Sequence, residues 1–346
     1  MRAYGRRKVL ALAAGVLAAA TACTGNAAPQ PTKPVAASST PSPSASAVAI
    51  TSAEAARVFT DITVTDDLLR AVNSRERRLL LEGVLQYEVD GLMTGGQSPL
   101  TVAAFLSTDY APPRYKWGPP TLYIPRFPVS EKAPWFSALA TRDGRPTLLT
   151  FTKSDRWRLS SAAQLLPDQA MPEIEVDAEG YATAMAPDDK TITISPQFMQ
   201  PVHASVAETG AAGVTAGLLA PGPYTTGVAE EIASLRGEAK DGGYSYDSIF
   251  SADNFPVYAL RTQGGGALIQ YSLSRTSTTT AKTETAVDEG VPVPTWAQWA
   301  FEDPKQRLSL RLVETHQYAT AVPPLSKPSA AAVIAHHGGL TRASGT

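Results

Sequence analysis

The sequence of 346 residues contains a single cysteine, Cys23, and only four histidines. A lone thiol cannot form an intramolecular disulfide, and it cannot supply the cysteine clusters of structural zinc sites. None of the histidines belongs to a His-Glu-x-x-His motif, so nothing points to zinc-protease chemistry. The four histidines are His203, His316, His336 and His337. The formal net charge is −2, without the basic excess that is typical of nucleic-acid-binding proteins. We therefore expect no metal, no cofactor and no nucleic acid as a partner.

Long apolar runs are also scarce. The only long one covers residues 9–20 and is too short for a hydrocarbon core, which needs about 20 apolar residues. It follows four basic residues within the first eight positions and precedes small residues, an arrangement that is typical of a secretory signal. Residues 6–10 also resemble a twin-arginine signal. We expect export by the general or by the twin-arginine route.

A candidate lipidation site ends this run. Ala20-Thr21-Ala22-Cys23 resembles a bacterial lipobox, in which the cysteine is acylated and becomes the first residue of the mature chain. The resemblance implies a signal peptide at residues 1–22, palmitate on Cys23 and a lipid anchor on the extracytoplasmic face of the cell membrane. An ordinary signal peptide cut elsewhere is the alternative. Loss of residues 1–22 would leave 26 basic and 32 acidic residues, a net charge near −6.

The rest of the chain divides into a linker and two halves. Residues 23–50 are rich in Ala, Pro, Ser and Thr and offer little for a core to bury, so we predict a disordered linker. The remainder is long enough for two domains of about 100–200 residues each. Helix signals precede strand signals twice, which predicts an N-terminal α+β domain at 51–195 and a C-terminal α+β domain with a short tail at 196–346. In each half we expect helices packed on a curved antiparallel sheet.

Local signals place the elements of the first half. Thr51 and Glu54 fit a capping box at a helix start, and Thr65-Asp66-Asp67 predicts the start of a second short helix. Residues 75–93 form a third segment with an apolar side. Asp143-Gly144 lies between two apolar runs and predicts a hairpin, with a third strand from Trp157 onward.

The second half repeats part of this pattern. Residues 198–208 and 227–240 have helical spacing, and Gly264-Gly265-Gly266 separates two apolar runs as Asp143-Gly144 does. The likeness of the two hairpins indicates a weak internal repeat. These glycines lack the Lys and Ser/Thr of a phosphate-binding P-loop.

The last strands and the tail complete the pattern. Residues 307–312 alternate between apolar and polar, so they predict a strand with one buried face. We expect a turn near Glu314-Thr315-His316 and a returning strand at 317–322. His336 and His337, followed by two glycines, fit the end of a helix in the tail.

Three features admit both a functional and a structural interpretation. The aromatic, proline-rich segment 110–135 would form a binding surface if exposed, but we favour a role in covering the sheet. The basic run 75–78 is either an anion site or a solvated helix face, and we favour the face.

Alternating acids in 173–179 are either a carboxylate pair for glycoside chemistry or a solvated edge, with Ile174 and Val176 facing inward. We favour the edge. The four acids are Glu173, Glu175, Asp177 and Glu179.

Sequence motifs of catalysis are missing. No Gly-x-Ser-x-Gly elbow occurs, and a triad assembled from distant residues would need His203 or His316 as its base. We expect both histidines at the surface or at a helix end. We therefore predict no catalytic residue.

A family resemblance lies in two segments, Leu219 to Gly227 and Tyr258 to Leu268. With the lipobox and the linker, these segments resemble uncharacterised actinobacterial cell-envelope lipoproteins. The resemblance implies two cystatin-like or nuclear-transport-factor-like α+β halves. It carries over no substrate and no catalytic residue.

The favoured hypothesis is a lipid-anchored, non-catalytic binding module of the cell envelope. Its partners would be the membrane, through the anchor, and an envelope protein or a cell-wall component. The alternative is a wall-directed hydrolase with an unrecognised site. A solute-capturing lipoprotein is a third hypothesis, but the repeated βαβ lobes of such proteins do not appear in the pattern.

Overall fold

This computed structural model describes residues 48–72, 76 and 82–346. The described helices are α1 (Ser52–Ala71), α2 (Glu82–Leu92), α3 (Gln97–Ser107), α4 (Pro196–Thr209), α5 (Thr226–Asp241) and α6 (Glu284–Glu289), with 3-10 turns at Gly210–Ala212 and Thr295–Ala300. The strands are β1 (Thr121–Tyr123), β2 (Trp135–Arg142), β3 (Arg145–Lys153), β4 (Trp157–Leu165), β5 (Tyr244–Ser251), β6 (Tyr258–Arg261), β7 (Ala267–Ala281), β8 (Val291–Pro292), β9 (Lys305–Gln306), β10 (Ser309–Val322) and β11 (Ala332–Gly345). This mixture confirms the α+β class.

Nine strands form one antiparallel sheet. Its order is β1-β2-β3-β4-β11-β10-β7-β5, and β6 also pairs with β7. Strands β8 and β9 form a separate two-stranded piece. The predicted segments 51–195 and 196–346 meet where β4 pairs with β11, with Leu165 opposite Ala335. Both segments thus contribute to one sheet, and their similarity to each other stays a prediction.

The hairpin at Asp143-Gly144 is confirmed. Strands β2 and β3 pair up to Arg142 and Arg145, and both turn residues have positive φ angles, 52° and 80°. A two-residue turn with positive φ at both positions matches the twist of the flanking strands. The aspartate–glycine pair is suited to this backbone because it adopts positive φ at low cost.

The predicted break at Thr65 is wrong, because α1 runs without interruption from Ser52 to Ala71. Thr51 does cap its start, accepting a hydrogen bond from the Glu54 N–H at 3.2 Å. Asp66 resembles a cap in the sequence, but its side chain pairs with Arg70 one turn later at 2.8 Å, and both side chains are buried. A polar pair at i, i+4 therefore continues the helix instead of starting a new one.

Two further predictions fail at the C-terminal end of the chain. The expected turn at 314–316 lies inside β10, and the expected tail helix is the long strand β11. Gly338 lies opposite His316 in the pairing of these strands. A Cβ atom at position 338 would collide with the His316 ring. This glycine provides room for a ring on the neighbouring strand, and it does not end a helix.

A buried interior joins the two parts of the sheet. Leu148 of β3 shares an apolar cluster with Leu268 and Ala319 of β7 and β10. Two glutamines add polar contacts: Gln270 accepts from the Thr150 hydroxyl at 2.6 Å, and Gln317 accepts from the backbone N–H of Ala162 at 3.0 Å. Because these groups are buried and satisfied, they fix how the early strands lie on the late ones.

Candidate functional site

A cleft of about 700 Å³ lies between α5 and one face of the late strands. Most of its lining is apolar or aromatic. Its lining residues are Glu231, Leu235, Glu238, Ala239, Tyr244, Tyr246, Arg275, Ser277, Thr279, Val291, Pro292, Pro294, Trp296, Leu310, Leu312 and Glu314. A concave site of this size, with a few polar groups among apolar walls, is the usual form of a small-ligand site.

The cleft exists because α5 packs on the sheet with its first half. Val228 and Ile232 are its buried residues, whereas Leu235 and Ala239 of the second half line the cleft. The floor is the apolar start of β10, where Leu310 and Leu312 alternate onto one face. Strand β8 and the 3-10 turn at Thr295–Ala300 form the opposite wall, and Trp296 of that turn is 53% exposed.

Arg275 provides the positive charge among the lining residues. Its Nε donates to the Ser248 hydroxyl at 2.9 Å, and its Nη2 donates to Glu231 at 2.9 Å and to the Tyr246 hydroxyl at 3.3 Å. Its side chain is only 10% exposed. Burying a guanidinium requires such partners, because an unpaired buried charge is strongly unfavourable.

Glu314 lies directly opposite Arg275 on the neighbouring strand. Its nearest approach to the guanidinium is 3.9 Å, from Oε2 to Nε, which is beyond hydrogen-bond distance. Within the described residues its carboxyl group makes no hydrogen bond, although the side chain is only 19% exposed. Burial raises the pKa of Glu314, and the charge of Arg275 opposes that effect only in part.

Two neighbouring histidines, His316 and His336, lie beside Glu314 in the sheet. His316 Nδ1 lies 3.0 Å from His336 Nε2, so one ring donates to the other. The other nitrogen of His316, Nε2, is buried without a hydrogen bond in the described structure, 3.9 Å from Glu314. Burial lowers the pKa of His316 to about 3 and that of His336 to about 2. The prediction that His316 lies at the surface or at a helix end is therefore wrong.

His203 is buried too, against the sequence-based expectation. Its Nε2 lies 2.6 Å from the Tyr224 carbonyl and therefore carries the proton, so Nδ1 accepts from the Tyr271 hydroxyl at 2.6 Å. The oxygen of Tyr271 in turn lies 2.9 Å from the Thr320 hydroxyl. Burial lowers the pKa of His203 to about 4. This ring is a satisfied core group and not a free base.

Neighbouring histidines of β11 lie on opposite faces of the sheet. His336 stacks on the Tyr224 ring with centroids 3.9 Å apart, while His337 pairs with Gln317 on the other face. The placement in a tail helix was wrong. Among the described residues no group of three His, Cys, Asp or Glu side chains could hold a metal ion.

The aromatic segment 110–135 packs inward. Trp117 meets Phe59 of α1 edge to face at 6.3 Å, and Phe127 meets Trp135 at 5.9 Å. All of its aromatic rings are at least partly buried. An exposed binding surface was therefore the wrong interpretation, and the favoured packing role is confirmed.

The acidic stretch 173–179 forms surface ion pairs. Arg126 donates to Asp177 at 2.7 Å and to Glu179 at 2.9 Å. Ile174 is buried as expected, but Val176 is exposed, so that part of the alternation was wrong. Glu173 accepts a hydrogen bond from the Gln263 side chain at 2.8 Å, and Glu175 accepts one from the Thr183 hydroxyl at 3.3 Å. None of the four acids lines the cleft beneath α5.

Several predicted features lie outside the described residues. Cys23, the signal peptide and most of the linker belong to this group, as does the basic run 75–78 except for the exposed Glu76. None of the described helices is long and apolar enough to cross a membrane. Gly265 adopts a positive φ of 78° in the turn between β6 and β7, which is a structural role.

The profile of the family described as "Domain of unknown function (DUF8094)" matches residues 46–345. An uncharacterized lipoprotein of Streptomyces coelicolor (strain ATCC BAA-471 / A3(2) / M145) is 28% identical over 296 residues, which covers 79% of this chain and 78% of that protein. No solved structure matches the chain.

Proposed function

The chain belongs to the DUF8094 family, and from this premise we propose that it is a non-catalytic binding protein of the cell envelope. We place its ligand site in the cleft beneath α5. The observation that carries this proposal is a mostly apolar cleft of about 700 Å³, with Leu310 and Leu312 on its floor, Glu314 farther along the same strand and Arg275 opposite it on β7. Ligands of matching shape would gain free energy from the burial of apolar surface.

The cellular address is part of the same proposal. Cys23 would carry the lipid, and the folded part would stand on the extracytoplasmic face of the cell membrane. The lipoprotein name of the Streptomyces relative supports this address. Helices packed on an antiparallel sheet also support, as a proposal, the likeness to cystatin-like or nuclear-transport-factor-like units.

A dye-binding measurement tests the site. Nile red, an uncharged apolar dye, should bind the purified protein and gain fluorescence. Ala239→Trp would fill the cleft, and Ala233→Trp places the same ring on an exposed position of the same helix. We expect the first variant to weaken dye binding at least about tenfold, or 1.4 kcal/mol, and the second to bind like the wild type. Equal binding by all three proteins would contradict the proposal.

One observation favours a second candidate, a hydrolase acting on wall glycans. Glu231 and Glu314 both face the cleft beside Arg275, and the raised pKa of Glu314 suits a general acid. This function predicts that the protein releases reducing ends from cell-wall glycan and that Glu314→Gln abolishes the release. If the wild-type protein released no reducing ends, the hydrolase function would be contradicted and the binding function would stand.

A further inference from the structure

The charges around the cleft are unequal in number. Three carboxylates line it, those of Glu231, Glu238 and Glu314, against the one guanidinium of Arg275. Arg275 already donates hydrogen bonds within the protein, and the acceptors are Glu231, Ser248 and Tyr246. A ligand therefore meets an excess of negative charge around mostly apolar walls.

Arg275 Nε is too distant from the Glu314 carboxyl group for a hydrogen bond, so this carboxyl group is available to a cationic ligand. This carboxyl group makes no hydrogen bond in the described residues and lies 3.9 Å from Arg275 Nε. Behind it, the Nε2 atom of His316 is buried and has no hydrogen-bond partner there either. Neither the Glu314 carboxyl group nor His316 Nε2 has a hydrogen bond in the described residues, and burial raises the pKa of Glu314.

The aromatic walls suit a positively charged guest. Tyr244 and Tyr246 line the side near β5, and Trp296 lies at the opposite wall. Aromatic rings attract cations electrostatically through the negative faces of their π systems. Rings and carboxylates together are a common means of holding an ammonium group at the end of an apolar body.

Resting on the proposed function, we infer that the cleft selects ligands with an apolar body and a positively charged amine or guanidinium group. The apolar body lies on Leu310 and Leu312, and the cationic group pairs with Glu314. An anionic head group is disfavoured, because it would approach three carboxylates while the positive charge of Arg275 is already balanced by Glu231.

A matched set of probes tests this selectivity. Decylamine, decanol and decanoic acid share one chain and differ in charge, so displacement of Nile red from the full protein at low salt compares them directly. We expect decylamine to compete at least about fivefold better than decanol, and decanoic acid to compete worst. Added salt should reduce the advantage of the amine because it screens the charges.

Charge-neutral variants locate the interaction. Glu314→Gln should weaken decylamine about tenfold and change decanol less than about twofold. Glu238→Gln changes an exposed lining residue and leaves the surroundings of Arg275 intact. It should weaken decylamine binding less than Glu314→Gln does. Glu230→Gln removes an acid of the same helix that does not line the cleft and should change neither probe.

The outcomes separate the two proposals. Three probes of equal strength would overturn the charge selectivity but keep the cleft as an apolar ligand site. Decanoic acid as the best probe would also overturn it and would make Arg275 the dominant group. No binding of dye or probe would overturn the cleft as a ligand site altogether.

Discussion

Arg275 and Glu314 face each other across neighbouring strands, yet the closest approach of the guanidinium to the carboxylate is 3.9 Å, from Nε to Oε2. The arginine is held instead by Glu231 from α5, at 2.9 Å. This leaves the Glu314 carboxyl group directed at the cleft without a hydrogen bond in the described structure. The polar end of the cleft thus contains a cation that is hydrogen-bonded within the protein and an acid that is not. A ligand can therefore pair with the acid more readily than with the cation.

Removal of Arg275 should destabilise the fold. Arg275→Met leaves Glu314 without its nearest positive charge, so we expect a loss of about 2–3 kcal/mol in the free energy of unfolding. Urea unfolding measures this loss. Glu314→Gln in the same chain should restore part of the stability, because it removes the uncompensated acid. Arg236→Met breaks an exposed pair with Asp247 and should cost at most about 1 kcal/mol. Equal losses in both arginine variants would contradict this account.

Glycine at position 338 should be required by the ring opposite. A Cβ atom there collides with His316, whereas one at Gly339 comes no closer than 3.9 Å to Leu100. We expect Gly338→Ala to lower the free energy of unfolding by about 1–3 kcal/mol, as overpacking does. Gly339→Ala is the control and should be neutral. A tolerated alanine at 338 would contradict the close contact between this position and the His316 ring.

Acid should destabilise the protein through its buried histidines. The pKa of His203 falls from 6.5 to about 4 on burial, so between these values the unfolded chain binds the proton more tightly. Stability is therefore complete above pH 6.5 and declines as the pH falls toward 4. His203 alone should contribute a decrease of about 2 kcal/mol between pH 7 and pH 5. Unfolding midpoints in urea at the two pH values test this, and a midpoint that rises on acidification would contradict it.

The sequence predicts local structure best where one short signal determines it. Asp143-Gly144 predicts its hairpin because a two-residue turn depends on the conformations of those residues alone. Thr51 predicts the start of α1 for a similar reason. Glu314 and His316 looked like a polar turn because their partners lie on other strands. Only the pairing of β10 with β7 and β11 explains why a strand buries an acid and a ring.

The cleft could not be predicted from the sequence. Its lining comes from α5, β5, β7, β8, β10 and the 3-10 turn at Thr295–Ala300, which are separated along the chain and brought together by the fold. One signal was available in β10: Leu310, Leu312, Glu314, His316 and Tyr318 recur at every second position. Side chains at every second position of a strand share one face, so this row places the apolar floor and the polar end of the cleft side by side. The sequence predicts this arrangement only if β10 is known to be one unbroken strand.

The central claim is that the cleft beneath α5 holds the natural ligand. The most direct measurement is native mass spectrometry of the full chain purified from its own membranes, as wild type, Ala239→Trp and Ala233→Trp. We predict a non-covalent adduct, released as a cationic amphiphile, on the wild type and on Ala233→Trp, and its loss from Ala239→Trp. An adduct retained at equal occupancy by Ala239→Trp, or a wild-type chain that carries none, would contradict the claim.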